Sequence, residues 1–321
     1  MKKKTIVLFL FSFGILGALI YFSDPVKIWA VLSNANLLFI SLGLFLWVFN
    51  SLIRTLRWDI LLRRLNIRIN FFEVWQIFVA SMFISNLSPA KTGDPIRSVI
   101  LKKTDNKSFS KSLPSVVVER ILDFMVLIII AIISSGFLAL KIQNLSIWLY
   151  LSILFYVVVI SVGLFIVSSE RRTEIFFAKV FKTFSFIPVV RNYENKVKEA
   201  SKKFHKSFRE YKHAPTILVA ALLSFVVWTV EGLIIFVAFH SIGVSISLMP
   251  CIAILPLSIL LGILTFLPGS IGSSELITVT FFTTLFGVAL SDVTAVTIIT
   301  RFLSYWPYVF VGAALFSHKF K

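Results

Sequence analysis

The chain has 321 residues, of which 58% are hydrophobic and 15% charged, and its mean hydropathy is +0.92. This composition excludes an ordinary soluble domain, because several runs reach the roughly 18 apolar residues needed to cross a bilayer. The net charge of +17 could indicate nucleic-acid binding, but the placement of the charges favours a membrane protein that binds no nucleic acid. With one cysteine, scattered histidines and no nucleotide or serine-nucleophile motif, we expect no disulfide, metal or cofactor.

Apolar runs predict an all-α protein. Thr5–Phe22 is interpreted as a retained first span, not a cleaved signal peptide, because no small-residue cleavage pattern follows it. The second span is Asn36–Ile53, followed by five arginines. The later apolar runs are, in order, Phe71–Leu87, Leu113–Leu140, Leu145–Val167, Pro215–Phe239, Met249–Phe266, Leu276–Val288 and about Val293–Phe316.

Two of these runs end in segments where a continuous helix is not expected. Proline lacks an amide donor and glycine bends easily, and both occur here. Broken backbone at membrane depth persists only when it is buried in protein or lines a wet cavity. The first segment could also be an ordinary loop between two helices. The expected breaks are at Pro89 and Gly93, and at Pro268, Gly269 and Gly272.

Charge placement predicts the topology. With a cytoplasmic N-terminus, 28 of the 32 lysines and arginines lie in the cytoplasm or at the cytoplasmic edge of the membrane, as the positive-inside rule requires. This assigns the chain to the cell membrane as a multi-pass protein with both termini cytoplasmic. It also predicts about six full spans plus two re-entrant helical hairpins, or alternatively eight spans.

The two halves, about 1–144 and 145–321, are then inverted-topology repeats within a single membrane domain, 1–321. In each half the break is followed by an acid, Asp94 or Glu275, and then by a span that carries an arginine. The alternative is two unrelated loops. Inverted repeats place a transporter's site near the midplane, where the broken helices meet.

The segment 169–213 is strongly basic. It contains two apolar stripes at helical spacing, one from Ile175 to Phe184 and the other from Tyr193 to Tyr211. Such a segment is expected to lie on anionic headgroups, although a solvated linker that only sets topology is the alternative.

Charged residues within membrane spans are costly, at least about 2.5 kcal/mol each at a helix centre, so they are candidates for function. The alternative is that they form buried salt bridges that fix helix packing. The candidate substrate-binding residues are Lys91, Asp94, Arg97, Glu119, Arg120, Asp123, Glu231, Glu275, Arg301 and Tyr305.

Four elements resemble the family of the lysylphosphatidylglycerol synthase transmembrane region, also called flippase-like or UPF0104. They are the segment Pro89–Arg97, the Glu-Arg-x-x-Asp element Glu119–Asp123, the segment Pro268–Glu275, and Arg301. Ser270 and Ser274 depart from the usual glycine and basic residue.

The resemblance implies a lipid translocase, not an enzyme, that moves a phospholipid or polyprenyl-linked headgroup between leaflets without ATP. The alternatives are a membrane-embedded transferase acting on a lipid carrier and a non-transporting scaffold, and a homo-oligomer is left open. In the translocase, arginines would hold phosphate, for which their forked donors are suited, and carboxylates would hold a cationic moiety or titrate. The arginines are Arg97, Arg120 and Arg301, and the carboxylates are Asp94, Glu119, Asp123 and Glu275.

Overall fold

The computed structural model describes residues 3–88, 93–105, 109–139, 168–175, 194–212, 214–265 and 267–320, with a few isolated positions between 154 and 166. These residues form α-helices and one short 3-10 turn, 210–212. The predicted all-α class is therefore confirmed. The helices are α1 (Lys3–Phe22), α2 (Pro25–Ser33), α3 (Leu37–Arg64), α4 (Phe71–Leu87), α5 (Ile96–Asp105), α6 (Phe109–Ala139), α7 (Glu194–Arg209), α8 (Ala214–Ser241), α9 (Leu248–Leu264), α10 (Ser273–Phe286), α11 (Leu290–Ser304) and α12 (Trp306–Lys319).

By length and apolar composition, three helical segments of the described chain qualify as membrane spans: α3, 215–241 within α8, and α11 with α12 taken together as Leu290–Lys319. The first predicted span, Thr5–Phe22, lies within α1, and a bend follows it. α1 and α2 meet at 86°, and the pair would be a fourth span if it crosses the membrane as one unit. Asp24 causes the bend, because its backbone has a φ of 66° and its carboxylate accepts a hydrogen bond from the Lys27 amide at the start of α2.

The prediction for the second span was wrong at its end. Helix α3 does not stop at Ile53 but continues to Arg64, so Arg54 and Arg57 lie inside the helix and are 7% and 0% exposed. Only the last arginines of the run reach the end of the helix, where positive charge complements the helix dipole. The arginines at 54 and 57 therefore belong to the protein interior.

Helices α3–α6 form one set and α8–α12 form a second. Many contacts that a helix of one set makes are repeated by the corresponding helix of the other set, with α3 corresponding to α8, α4 to α9, α5 to α10, and α6 to α11 with α12. Helices α3 and α8 contact each other directly. Helix α4 packs on α12 of the second set, and α9 packs correspondingly on α6 of the first. Helix α6 likewise contacts α8, as α11 contacts α3, and both breaks are flanked by neighbouring helices, α4 with α5 and α9 with α10.

The basic segment is described only in part. The stripe predicted from Tyr193 to Tyr211, in the second half of the basic segment, is confirmed as helical by α7. Helix α7 packs against α6, and Phe204 is only 3% exposed. The end of this stripe is tied to α3, because the Tyr211 hydroxyl donates to the Leu61 carbonyl at 2.8 Å. Burial raises the pKa of Tyr211, so the hydroxyl remains a donor. Several predictions fall outside the described residues. They concern most of the run Leu145–Val167, most of the stripe Ile175–Phe184, Pro89 and Lys91.

Candidate functional site

A cavity of about 170 Å³ lies between the two breaks, where α3, α4 and α8–α12 converge. Its apolar wall comes mainly from α8 and α9. Its polar wall carries two arginines, two glutamates, two tyrosines and several hydroxyls. The charged and aromatic polar residues are Arg54, Glu231, Glu275, Arg301, Tyr305 and Tyr308.

The second break spans 265–272, between α9 and α10. Its backbone has positive φ at Gly269 (58°), Ser270 (53°) and Gly272 (86°). A Cβ atom at Gly269 would lie 2.6 Å from the Tyr305 hydroxyl and 2.8 Å from the Asn86 carbonyl oxygen, so glycine is required there. Ser270 adopts the same left-handed region with a side chain, which adds strain of about 1–3 kcal/mol to this break.

Arg301 holds this break in place. Its Nε lies 2.5 Å from a Glu275 carboxylate oxygen, and its Nη atoms donate to the carbonyls of Gly269 and Ser270, each at 3.3 Å. Glu275 in turn accepts a hydrogen bond from the Gly272 amide at 2.9 Å and so caps α10. Arg301 thereby satisfies carbonyls that a broken helix leaves unpaired, and it neutralises the capping carboxylate.

Of the first break, the structure describes Ser88 and then the residues from Gly93 to the start of α5. A Cβ atom at Gly93 would lie 2.9 Å from the Ile84 carbonyl oxygen, and the Gly93 amide donates to the Ser88 hydroxyl at 2.7 Å. Asp94, which is 4% exposed, accepts a hydrogen bond from Ser85 and lies 3.2 Å from Arg120 Nε. Like Glu275, it is a buried acid beside a break and it faces an arginine.

The second break lies against the last turn of α4, just before the first break. The Tyr305 hydroxyl donates to the Asn86 carbonyl at 3.0 Å, and Gly269 lies against the same carbonyl. The acid–arginine pairs also match in spacing, since Asp94 and Arg120 are separated by the same 26 residues as Glu275 and Arg301.

A second group of charges, here called the arginine–carboxylate network, is buried beside the cavity. It contains three arginines and three carboxylates, so its formal charge is zero. Arg57 Nη2 lies 2.7 Å from Glu119, and Arg57 Nη1 lies 2.5 Å from Asp123. Arg97 Nη1 reaches Glu119 at 2.7 Å, and Arg120 Nη2 reaches Glu119 at 3.0 Å and Asp123 at 3.3 Å. Asp94, paired with Arg120, completes the network.

Arg97 keeps free donors within this network. Its guanidinium lies over the rings of Trp58 and Phe78, 5.2 and 5.7 Å from their centroids. Its Nε and Nη2 atoms are buried, and neither has a hydrogen-bond partner in the described parts of the chain. A buried donor without a partner is costly, so Arg97 is not fully satisfied by these contacts.

Sequence reasoning identified Glu231 but missed Arg54, its ion-pair partner in the cavity wall. Arg54 Nη2 lies 2.9 Å from Glu231, and Asn50 donates to the same carboxylate at 2.9 Å. Arg54 also lies over the Trp228 ring, and Trp228 donates through its indole to Asp123 at 3.2 Å, which links the cavity to the arginine–carboxylate network. Asn50, Arg54 and Arg57 recur at steps of four and three, and this helical spacing was the signal that could have identified them.

The predicted site residues therefore divide into two connected groups. Glu231, Glu275, Arg301 and Tyr305 line the cavity. The other described candidates, Asp94, Arg97, Glu119, Arg120 and Asp123, lie in the network, and Lys91 lies outside the described residues. Among the described residues, no group of three or more His, Cys, Asp or Glu side chains is arranged to hold a metal ion.

Apolar helices long enough to cross a bilayer, combined with charges neutralised in the interior, define an α-helical membrane protein. The chain belongs to the family described as the lysylphosphatidylglycerol synthase TM region, which it matches over residues 7–312. The resemblance drawn from the sequence motifs is thus confirmed.

Its relatives are similarly long archaeal membrane proteins. The chain is 27% identical over 324 residues to a UPF0104 membrane protein of Methanothermobacter thermautotrophicus, covering 98% of this chain and 95% of the relative. It is 25% identical over 297 residues to a UPF0104 membrane protein of Pyrococcus horikoshii, covering 89% and 88%. A third, from Methanocaldococcus jannaschii, is 24% identical over 309 residues, covering 94% and 91%.

Proposed function

We propose that this protein is a flippase-like lipid translocase of the cell membrane, which moves a phospholipid or a lipid-linked headgroup between leaflets without ATP. The observation that carries the proposal is the cavity between the two breaks, whose wall holds two separable ion pairs, Arg54–Glu231 and Arg301–Glu275. A lipid substrate is favoured over a soluble one because the chain is a membrane protein and because its family is named after a lipid synthase.

The proposed architecture is one membrane domain, 1–321, built from two inverted repeats, 1–144 and 145–321, with six full spans, two re-entrant hairpins and cytoplasmic termini. Three observations support it. The acid–arginine spacing is the same at both breaks, the helix contacts match when the two sets are exchanged, and Gly269 of the second break lies against the end of α4, where the first break begins. Inverted-repeat transporters assemble their sites in this way from broken helices.

The size of the cavity favours a headgroup over a whole lipid. Pockets for drug-sized ligands are about 300–1,000 Å³, so a cavity of about 170 Å³ would hold a phosphate and a small attached group. Acyl chains would then remain in the bilayer while the headgroup passes. In the proposed complex Arg54 and Arg301 bind the phosphate, and Glu231 and Glu275 bind a cationic moiety.

The paired charges explain how an empty site could be stable. Each arginine is neutralised by a carboxylate while no headgroup is bound, which limits the cost of burial. A zwitterionic headgroup can replace these contacts charge for charge. Phosphate contacts by Arg97 and Arg120, in the adjoining arginine–carboxylate network, belong to the same proposal, and Arg97 has two donors without a partner in the described parts of the chain.

A leaflet-exchange assay tests the proposal. The purified protein is reconstituted into liposomes that carry fluorescent phospholipids of several headgroups, and the dye in the outer leaflet is quenched chemically. We expect exchange faster than in empty liposomes for at least one headgroup. Glu231→Gln should slow it by about tenfold, because the loss of a charged hydrogen-bond partner costs roughly 1.5 kcal/mol.

Glu73→Gln is the matched control, because Glu73 pairs loosely with Lys319 at 3.9 Å and does not line the cavity. Exchange no faster than in empty liposomes for every headgroup would refute the proposal, as would full activity of Glu231→Gln.

A scaffold role is the second candidate, and the charge balance of the buried network favours it. Three arginines facing three carboxylates are also what helix packing alone would require. A scaffold predicts normal folding and no leaflet exchange. The transferase alternative predicts lipid turnover when purified protein is given a sugar donor, so the two assays together separate all three functions.

A further inference from the structure

Two adjoining cavities lie under helix α7, away from the breaks. The first has a volume of about 590 Å³ and an apolar wall from α6, α7 and α8, which includes Ile121, Met125 and Phe208. The second, about 620 Å³, has a charged wall with Lys202, Lys206 and Arg209. His205 and Arg209 line both cavities, so together they form one groove with an apolar end and a basic end.

The described residues that line the basic end carry more cations than carboxylates. Lys202, Lys206 and Arg209 share one face of α7, at positions i, i+4 and i+7. Glu170 and Glu210 also line this end, but none of the three cations forms an ion pair with another described residue. Among the described residues, three cations against two carboxylates give this end a net positive formal charge.

His205 gives an independent indication of a ligand. The residue is only 7% exposed, and its Nδ1 atom is buried without a hydrogen-bond partner among the described residues. Buried polar atoms are normally satisfied, because an unsatisfied one costs the free energy of its lost hydration. With a proton on Nδ1, His205 would donate to a phosphate oxygen at the junction of the two cavities.

Hydrogen bonds hold helix α7, which forms one wall of the groove, in place without a ligand. The Arg64 Nε donates to the Glu210 carbonyl at 2.9 Å, and Tyr211 donates to Leu61, so the end of α7 is attached to the end of α3. Phe204 and Phe208 stack with their ring centroids 6.1 Å apart. A preformed groove binds without first having to pay for ordering its walls.

We propose that this groove binds an anionic phospholipid. The phosphate lies against Lys206, Arg209 and His205, and one acyl chain occupies the apolar end along α6. Ile217 lines the groove from the first turn of α8, a candidate span, which puts the basic end at the level of lipid headgroups. The groove shares no lining residue with the cavity between the breaks, so this lipid is a bound ligand whether or not the protein transports lipid.

Photo-crosslinking tests the proposal. Full-length protein in nanodiscs of phosphatidylcholine receives trace phosphatidylglycerol with a diazirine on its acyl chain, and labelled peptides are mapped after irradiation. We expect labels on the helices that form the apolar end, at or next to Ile121 and Met125, and competition by unlabelled phosphatidylglycerol. A phosphatidylcholine probe should label these sites several-fold less, since each nearby cation favours the anionic lipid by about fivefold.

The variant Lys206→Gln/Arg209→Gln should reduce this labelling about 25-fold, from two such charges. Lys203→Gln is the matched control, because Lys203 is an exposed lysine on the same helix that lines neither cavity. Lys206→Gln alone, on an exposed side chain, provides the same comparison at about fivefold if the double variant folds poorly.

Labelling elsewhere, equal labelling by the phosphatidylcholine probe, or labelling unchanged in Lys206→Gln would overturn the assignment. The last result would also follow if a peptide segment or another protein occupies the groove. Leaflet exchange is measured separately on the same variants, so failure of this proposal and failure of the translocase proposal give different results.

Discussion

Replacing Arg57 by methionine is expected to unbalance the buried charges and destabilise the protein strongly. Arg57 is fully buried, and its two Nη atoms bond to Glu119, Asp123 and Ser224 at 2.5–2.7 Å. Its removal leaves two arginines facing three carboxylates, a buried net charge of −1. Breaking a buried ion pair by removing one partner typically costs about 3–5 kcal/mol, and we expect a loss of unfolding free energy in this range.

Equilibrium unfolding in mild detergent with a denaturing detergent as titrant measures the effect. Trp58 and Trp228 are both buried beside the network and report its opening by fluorescence. Adding Asp123→Asn to Arg57→Met restores neutrality and should recover about 1–3 kcal/mol, the coupling expected for residues in direct contact.

The control is Lys27→Gln. Lys27 pairs with Asp24 three residues earlier, but both side chains are exposed, at 71% and 45%, and such exposed pairs contribute little to stability. If Arg57→Met costs no more than Lys27→Gln, or if Asp123→Asn deepens the loss, the charge-balance reasoning is wrong.

Three further predictions concern close approaches at and near the breaks. Gly269→Ala should lower the free energy of unfolding by at least about 2 kcal/mol more than Gly287→Ala in the same assay. Both positions have positive φ, but a Cβ at Gly269 would clash with its neighbours, whereas at Gly287 no atom lies within 4 Å of it. Equal costs would show that the contact with Asn86 is absent. Gly312→Ala should separate α4 from α12, since its Cβ would lie 2.6 Å from the Val79 carbonyl oxygen, whereas Gly17→Ala should change the melting temperature little. Tyr305→Phe should lose about 1 kcal/mol with its hydrogen bond to Asn86, and Tyr21→Phe, on a side chain that is 72% exposed, should lose none. No difference between the two tyrosine variants would contradict the contact between Tyr305 and the end of α4.

Much of the local structure could be predicted from sequence because it depends on local chemistry. Proline and glycine signalled the second break, and the apolar runs located α4, α6 and α8 within a few residues. The acids after the breaks were recognised because burial in a membrane makes any charge conspicuous.

The course of α3 could not be predicted from hydropathy. Arginine at 54 and 57 lowers the apolar average, and the positive-inside rule assigns such residues to the membrane edge. Their partners, Glu231, Glu119 and Asp123, lie on helices distant in sequence, so neutralisation became visible only in three dimensions.

The division of the candidates between cavity and network also depends on tertiary packing. Sequence spacing placed Glu119 and Asp123 on one helix face, but it could not show that Arg57 occupies the space in front of them. The bend between α1 and α2 was, in contrast, encoded locally, since Asp24 followed by Pro25 is a helix-starting signal that comes after the first apolar run.

The central claim is that a headgroup passes through the cavity between the two breaks, and a reversible plug in that cavity tests it. In a Cys251→Ala background, which removes the only native cysteine, Thr300→Cys introduces a thiol into the cavity wall. The Thr300 hydroxyl has no hydrogen-bond partner in the described structure, so this substitution should leave the fold intact. Thr284→Cys, on the exposed side of α10, is the control.

Leaflet exchange is then measured before and after modification with a methanethiosulfonate reagent. The account predicts that modification of Thr300→Cys abolishes exchange, that a reductant restores it, and that modification of Thr284→Cys has no effect. Undiminished exchange through protein fully modified at position 300 would contradict the central claim.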